Sequence, residues 1–129
     1  MTSKDKKLCV VVTWPHPYLS PNSRINWRGK AEIIRTARVK AYALTKAVIG
    51  QKKVIAQPLE NRINVKLITH PRDKRARDED NIIASMKSTL DGIADALEVN
   101  DAFFHFKELE VSHTERPPTI EVWLDWRNE

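Results

Sequence analysis

The residues best equipped for chemistry lie between Pro71 and Asp101. A basic run, Arg72-Asp73-Lys74-Arg75-Ala76-Arg77, is followed at once by Asp78-Glu79-Asp80-Asn81, then by an apolar-periodic segment carrying Lys87 and Asp91, then by Asn100-Asp101. Asp78 and Asp80 are two residues apart, so in an extended segment both side chains leave one face with Cα atoms about 6–7 Å apart. Two carboxylates at about 6 Å repel by roughly 3 kcal/mol at an effective dielectric of 20. A fold that holds them together needs a counter-charge, and a divalent cation supplies one. Cations set directly against carboxylates in this order suit a metal-dependent enzyme acting on a polyanion.

The elements that must position these groups follow from pattern and composition. With 129 residues and 41% hydrophobic content, the chain reads as a single domain over residues 1–129 with one core. No run approaches the ~18 apolar residues of a membrane span, and Met1 to Lys7 is too polar for a secretory signal. An intracellular, cytoplasmic protein without membrane contact is expected. The one cysteine, Cys9, excludes an intrachain disulfide and sits in the apolar run Leu8–Val12, where a buried core thiol is expected. The three glycines, Gly29, Gly50 and Gly92, fit neither the G-x-G-x-x-G nor the P-loop pattern, so no nucleotide cofactor is expected.

A net charge of +5 and a pI near 9.5 fit a nucleic-acid partner. Leu8–Thr13 reads as a buried strand. The proline-rich stretch from Trp14 to Asn22 reads as a structured loop, with Trp14, Tyr18 and Trp27 pinning it to the core in preference to the alternative of stacking on bases. Residues Gly29–Ile49 carry an apolar stripe through Ile33, Ile34, Ala37, Ala41, Leu44, Ala47 and Val48, which predicts a helix ending near Gly50. Arg28, Lys30, Arg35, Arg38 and Lys40 crowd its first half, where the helix dipole opposes positive charge; phosphate binding or a solvated face accounts for them.

Arg62–Ile68 alternates as a half-buried strand, and a second helix begins at Asp80 or Asn81 with a stripe through Ile83, Met86, Leu90, Ile93 and Leu97. Phe103–Val111 and Thr119–Trp126 read as strands, with Ile120, Val122 and Leu124 on one face. The order β-α-β-α-β-β predicts an α+β fold, a mixed sheet with helices mainly on one face. The histidines show no metal-ligand spacing, and His70 is the one expected near the acidic segment. Taken singly, Asp78 and Asp80 read as a turn and a helix cap, Lys87 and Asp91 as an i,i+4 surface pair, and Asp101 as a loop acid.

With Asp78-x-Asp80-Asn81, Lys87 four residues before Asp91, and Asp101 beyond the helix, the chain resembles the RusA family of Holliday junction resolvases, small nucleases often encoded by phages and prophages. The likeness also takes in the early strand, Ser20-Pro21-Asn22-Ser23-Arg24, the basic helix and the strand that ends in the basic run. It implies a homodimer that binds four-way DNA junctions and uses Mg2+ or Mn2+ to cut two strands symmetrically, in recombination and repair. Its catalytic residues fall on Asp78, Asp80, Lys87 and Asp101, with Asp78, Asp80 and Asp101 as metal ligands and Asp91 a secondary acid. Arg28, Lys30, Arg35, Arg38, Arg72, Lys74, Arg75 and Arg77 are then the candidate DNA contacts. The interval from Asn81 to Lys87 is about one helical turn longer than in the family pattern, which keeps Lys87 on the same face. Asn100 stands where the pattern has a further acid. The competing expectations are a DNA- or junction-binding protein that does not cut, and a nuclease for other branched DNA.

Overall fold

The computed structural model describes residues 6–21, 27–51, 62–73, 77–112 and 117–126. Strand β1 (Lys7–Thr13) leads into a single 3-10 turn (Pro17–Leu19) and the long helix α1 (Trp27–Gln51). Strand β2 (Ile63–His70) is followed by helices α2 (Glu79–Ser85) and α3 (Lys87–Leu97), a second 3-10 turn (Asp101–Phe103), and strands β3 (Phe104–Val111) and β4 (Thr119–Asp125). The fold is α+β with a mixed four-stranded sheet in the order β1-β4-β2-β3. β4 runs antiparallel to both β1 and β2, whereas β2 and β3 are parallel. A parallel pair needs a crossover connection. Here the crossover from β2 to β3 contains every acidic position singled out above.

Alternation decides which sheet face is covered. Leu8, Val10, Val12, Ile63, Val65, Leu67, Ile120, Val122 and Leu124 are buried and join Ala41, Ile82, Met86, Leu90, Ile93 and Leu97 of the helices in one apolar cluster. Ile120, Val122 and Leu124 share the inner face as expected. Cys9, by contrast, is only half-buried: it lies between Leu8 and Val10 in β1, so the two-residue period turns it to the other face. The basic helix matches its expected place, yet Gly50 does not stop it. The helix continues to Gln51, and no glycine has a positive φ. The stripe on α1 is covered only in part, with Ala41 and Thr45 buried while Ile34 and Leu44 stay exposed.

The second expected helix is two. Asp78, not Asp80 or Asn81, is its cap: Asp78 Oδ1 accepts the Asp80 backbone N–H at 2.9 Å. The break falls at Met86, and Ser85 accounts for it, since Ser85 Oγ donates to the Asn81 carbonyl at 2.7 Å, the back-bonding that bends helices. Met86, fully buried, then starts α3, and Ile82 takes the core place expected of Ile83. α3 ends at Glu98, whose φ of 59° is a left-handed cap on a non-glycine residue.

α1 and α3 cross so closely that a Cβ on Gly92 would lie 2.2 Å from the Arg38 carbonyl oxygen and 3.0 Å from the Ala41 Cβ. Backbone cannot yield as a side-chain tip does. Gly92→Ala therefore forces the helices apart and should destabilise by about 1–3 kcal/mol, outweighing the helix propensity it gains. Gly50→Ala meets nothing within 4 Å and should be neutral or slightly stabilising. Urea unfolding of the two variants beside the parent checks both, and equal stabilities would refute the tight crossing.

Candidate functional site

Lys87 opens α3 with its side chain exposed, and two carboxylates converge on it. Its Nζ donates to Asp91 Oδ1 at 3.2 Å, one helical turn along α3, and to Asp101 Oδ2 at 3.0 Å, on the 3-10 turn beyond that helix. Asn100 secures that turn, its side-chain oxygen accepting the Ala102 N–H at 2.9 Å. The Lys87 pKa is raised by its hydrogen bonds to Asp101 and then to Asp91, so it is a cation throughout the neutral range. Asp101 is shifted the opposite way, its carboxyl held below the ordinary aspartate range first by the hydrogen bond from Lys87. Expected spacing thus becomes contact: of the six positions Asp78, Asp80, Lys87, Asp91, Asn100 and Asp101, the last four line one shallow groove of about 370 Å3.

Arg38 and Asp95 form the opposite part of that groove. Arg38 donates from Nε to Asp95 Oδ2 at 2.6 Å and from Nη2 to Asp95 Oδ1 at 2.9 Å, a two-pronged bridge from α1 to α3. Asp95 is a residue the sequence reading missed. The available signal was its place one turn beyond Asp91, which continues an acidic edge along α3 opposite the apolar stripe. The candidate DNA contact Arg38 is accordingly engaged within the protein. Arg35 is paired with Glu32 on the exposed side of α1, while Arg28 and Lys30 stand in the first turns of that helix. Arg72 is exposed after β2, and Lys74 and Arg75 lie outside the described residues, as do Asn22, Ser23, Arg24 and His113.

Asp78 and Asp80 stand apart from the Lys87 cluster in their contacts. Asp78 caps α2 and lines a separate cleft with Trp14, His16 and Arg77, and Asp80 is exposed in the first turn of α2. Among the described residues, no three His, Cys, Asp or Glu side chains are grouped to hold a metal ion. The three-carboxylate cage of Asp78, Asp80 and Asp101 is therefore not assembled; Asp91 and Asp101 instead meet around one ammonium. Their hard oxygens match what Mg2+ takes from proteins, which is often one or two carboxylates, the rest coming from phosphate and water. His70, expected near the acids, is buried at the end of β2 and bonded through Nε2 to Glu121 of β4, so its ring serves the sheet.

No family model matches this chain. An uncharacterized protein of Xylella fastidiosa is 33% identical over 95 residues, which is 74% of this chain and 61% of that protein. The chain thus spans about three-fifths of the length of the curated relative it matches. Among the described residues no helix is long and apolar enough to cross a membrane.

The Arg38–Asp95 bridge holds the Asp95 pKa below its ordinary value, chiefly through the Arg38 hydrogen bond. Its stabilisation is present at neutral pH and is lost as pH falls through that lowered value. Both partners are substantially exposed, so solvent screening limits the contribution to at most about 1 kcal/mol. Asp95→Asn should show that deficit in urea unfolding at neutral pH, the gap narrowing only below the free aspartate pKa of about 3.9. A gap that closes at higher pH would disprove the assignment.

Proposed function

We propose that this protein is a RusA-like endodeoxyribonuclease that binds branched DNA, four-way junctions in the first instance, and cuts its strands with Mg2+ or Mn2+. The observation that carries the reading is the meeting of Lys87 with Asp101 across the α3 turn, with Asp91 as the second partner of the same ammonium. These are the positions on which the resemblance places the lysine and an acid, brought together from different elements in an open groove. The basic residues along α1 and at Arg72 and Arg77 supply sequence-independent attraction for phosphates.

The raised Lys87 pKa defines what that side chain can do. An ammonium donates hydrogen bonds and charge but accepts no proton, so Lys87 stabilises a phosphate oxygen as charge builds there and is not the base. Asp101, ionised, orients Lys87 and accepts a hydrogen bond from a water at the phosphate. The resemblance gives the metal to Asp78, Asp80 and Asp101, which are not grouped in this structure, so the metal-dependent step rests on the resemblance; an ion held there would supply charge stabilisation and a more acidic water. A two-fold homodimer would present two such sites to a two-fold junction. The bacterial or phage setting belongs to the same proposal.

The second reading, a junction-binding protein that does not cut, is favoured by the work Asp78 already does as a helix cap and by the complete pairing of Lys87. Labelled junction, fork and duplex DNA, incubated with and without Mg2+ at several salt concentrations, separates the two. Paired symmetrical nicks on the junction are expected only with metal, with binding that weakens as salt rises. Asp80→Asn should abolish nicking and leave junction binding intact, and Lys87→Met should slow nicking about 10²–10³-fold. Tight junction binding with no nick in any metal would establish the second reading.

A further inference from the structure

The proline-rich loop and α2 line an open cleft of about 220 Å3 that the Lys87 groove does not include. Its walls combine the apolar surfaces of Pro15, Pro17 and Ile82 with polar groups of His16, Asn81 and Arg77, and Asp78 stands at its side. We propose that this cleft seats one unstacked nucleotide of the DNA strand beside Asp78, the base lying on the Arg77 guanidinium plane with its edge read by His16 and Asn81. The proposal rests on the DNA reading above and names the part of the substrate this region takes.

Four observations support it. Arg77 is fixed as a flat cation: its Nη1 donates to the Asp73 carbonyl and its Nη2 to Asp73 Oδ1, both at 3.0 Å, while its guanidinium lies 5.4 Å from the Trp14 ring centroid. A guanidinium plane held this way is a surface on which unpaired bases stack, as they do on aromatic rings. His16 is set in one tautomer when neutral, because its Nδ1 accepts the Tyr18 N–H at 3.1 Å, which leaves the ring proton on Nε2 as a donor. Asn81 adds an amide that both donates and accepts, the pair of functions a base edge answers. The open cleft measures about 220 Å3, below the ~300 Å3 at which pockets for whole small ligands begin. One base fits that limit.

Such a guest is available only where DNA is unpaired or branched, so the cleft would tie strand choice to substrate shape. It also gives the proline-rich loop a role. Trp14 N–H donates to the Pro118 carbonyl at 3.1 Å, so the start of the loop is fastened to the segment before β4, and the wall it forms stays in place.

The test uses four-way junctions carrying 5-bromodeoxyuridine at single positions around the branch point, irradiated with the 129-residue protein in EDTA and mapped by mass spectrometry. Crosslinking from one strand position to the peptide containing Trp14 and His16 is expected. Asn81→Ala, and His16→Asn, which keeps an acceptor for the Tyr18 N–H, should lower that crosslink about tenfold while junction binding falls less than about threefold. Trp14→Leu is a weaker probe because that ring packs against the core, so the Asn81 and His16 variants carry the decision. Crosslinks that map elsewhere, or variants that crosslink as the parent does, overturn the cleft while parental nicking leaves the nuclease reading intact. A protein that binds no DNA of any shape at low salt overturns both.

Discussion

The contact on which the rest depends is the crossing of α1 over α3 at Gly92. With no side chain there, the Arg38 carbonyl can rest against the backbone of α3, a separation no other residue permits. That closeness lets the Arg38 guanidinium reach Asp95 with both prongs and places it in the same groove as Lys87, Asp91 and Asp101. A helix pair held farther apart would lose the Arg38–Asp95 bridge and that wall of the groove, whereas Lys87, Asp91 and Asp101 lie on α3 and the turn after it. The Arg38 side of the groove is in this sense a consequence of one missing methyl group.

The groove is electrostatically closed within the described residues, and this bears on how it would meet a polyanion. Lys87 and Arg38 are each held by carboxylates, so neither presents a bare cation. An incoming phosphate would compete with those acids, whereas an incoming metal ion would compete with Lys87. Charge at exposed pairs of this kind exchanges partners at low cost, because solvent screens what is given up. A pre-formed cage of three carboxylates would be costlier to maintain empty, since like charges at short range repel. An arrangement in two acidic groups, with the ammonium shared by one of them, avoids that repulsion.

The break at Met86 has a comparable effect on the other half of the acidic segment. Ser85 turns its hydroxyl back onto Asn81, the helix ends, and Asp78 and Asp80 are carried on a short element of their own while Lys87 and Asp91 ride on α3. Asp78 thereby faces the proline-rich loop, where the Arg77 guanidinium lies over the Trp14 ring. Two clefts of different character result. One is a charged groove closed by ion pairs, the other a smaller notch with apolar walls and a fixed guanidinium.

Sequence by itself determined the strands, the basic helix and the inner face of the sheet, though not the division of the second helix at Met86, because strand alternation and helical periodicity are local properties of the chain. The residues Ile120, Val122 and Leu124, the helical stripe from Met86 to Leu97 and the i,i+4 contact of Lys87 with Asp91 all follow from spacing alone. Tertiary structure decided what spacing does not encode: that Lys87 also reaches Asp101, that Arg38 is spent on Asp95, that His70 is paired with Glu121, and that Asp78 and Asp101 line different clefts. Each of these depends on where one element crosses another, and such distances are set by the bulk of the side chains between them. Asp95 could have been suspected from the acidic edge of α3, but its partner lies 57 residues away and is found only once Gly92 has drawn the two helices together.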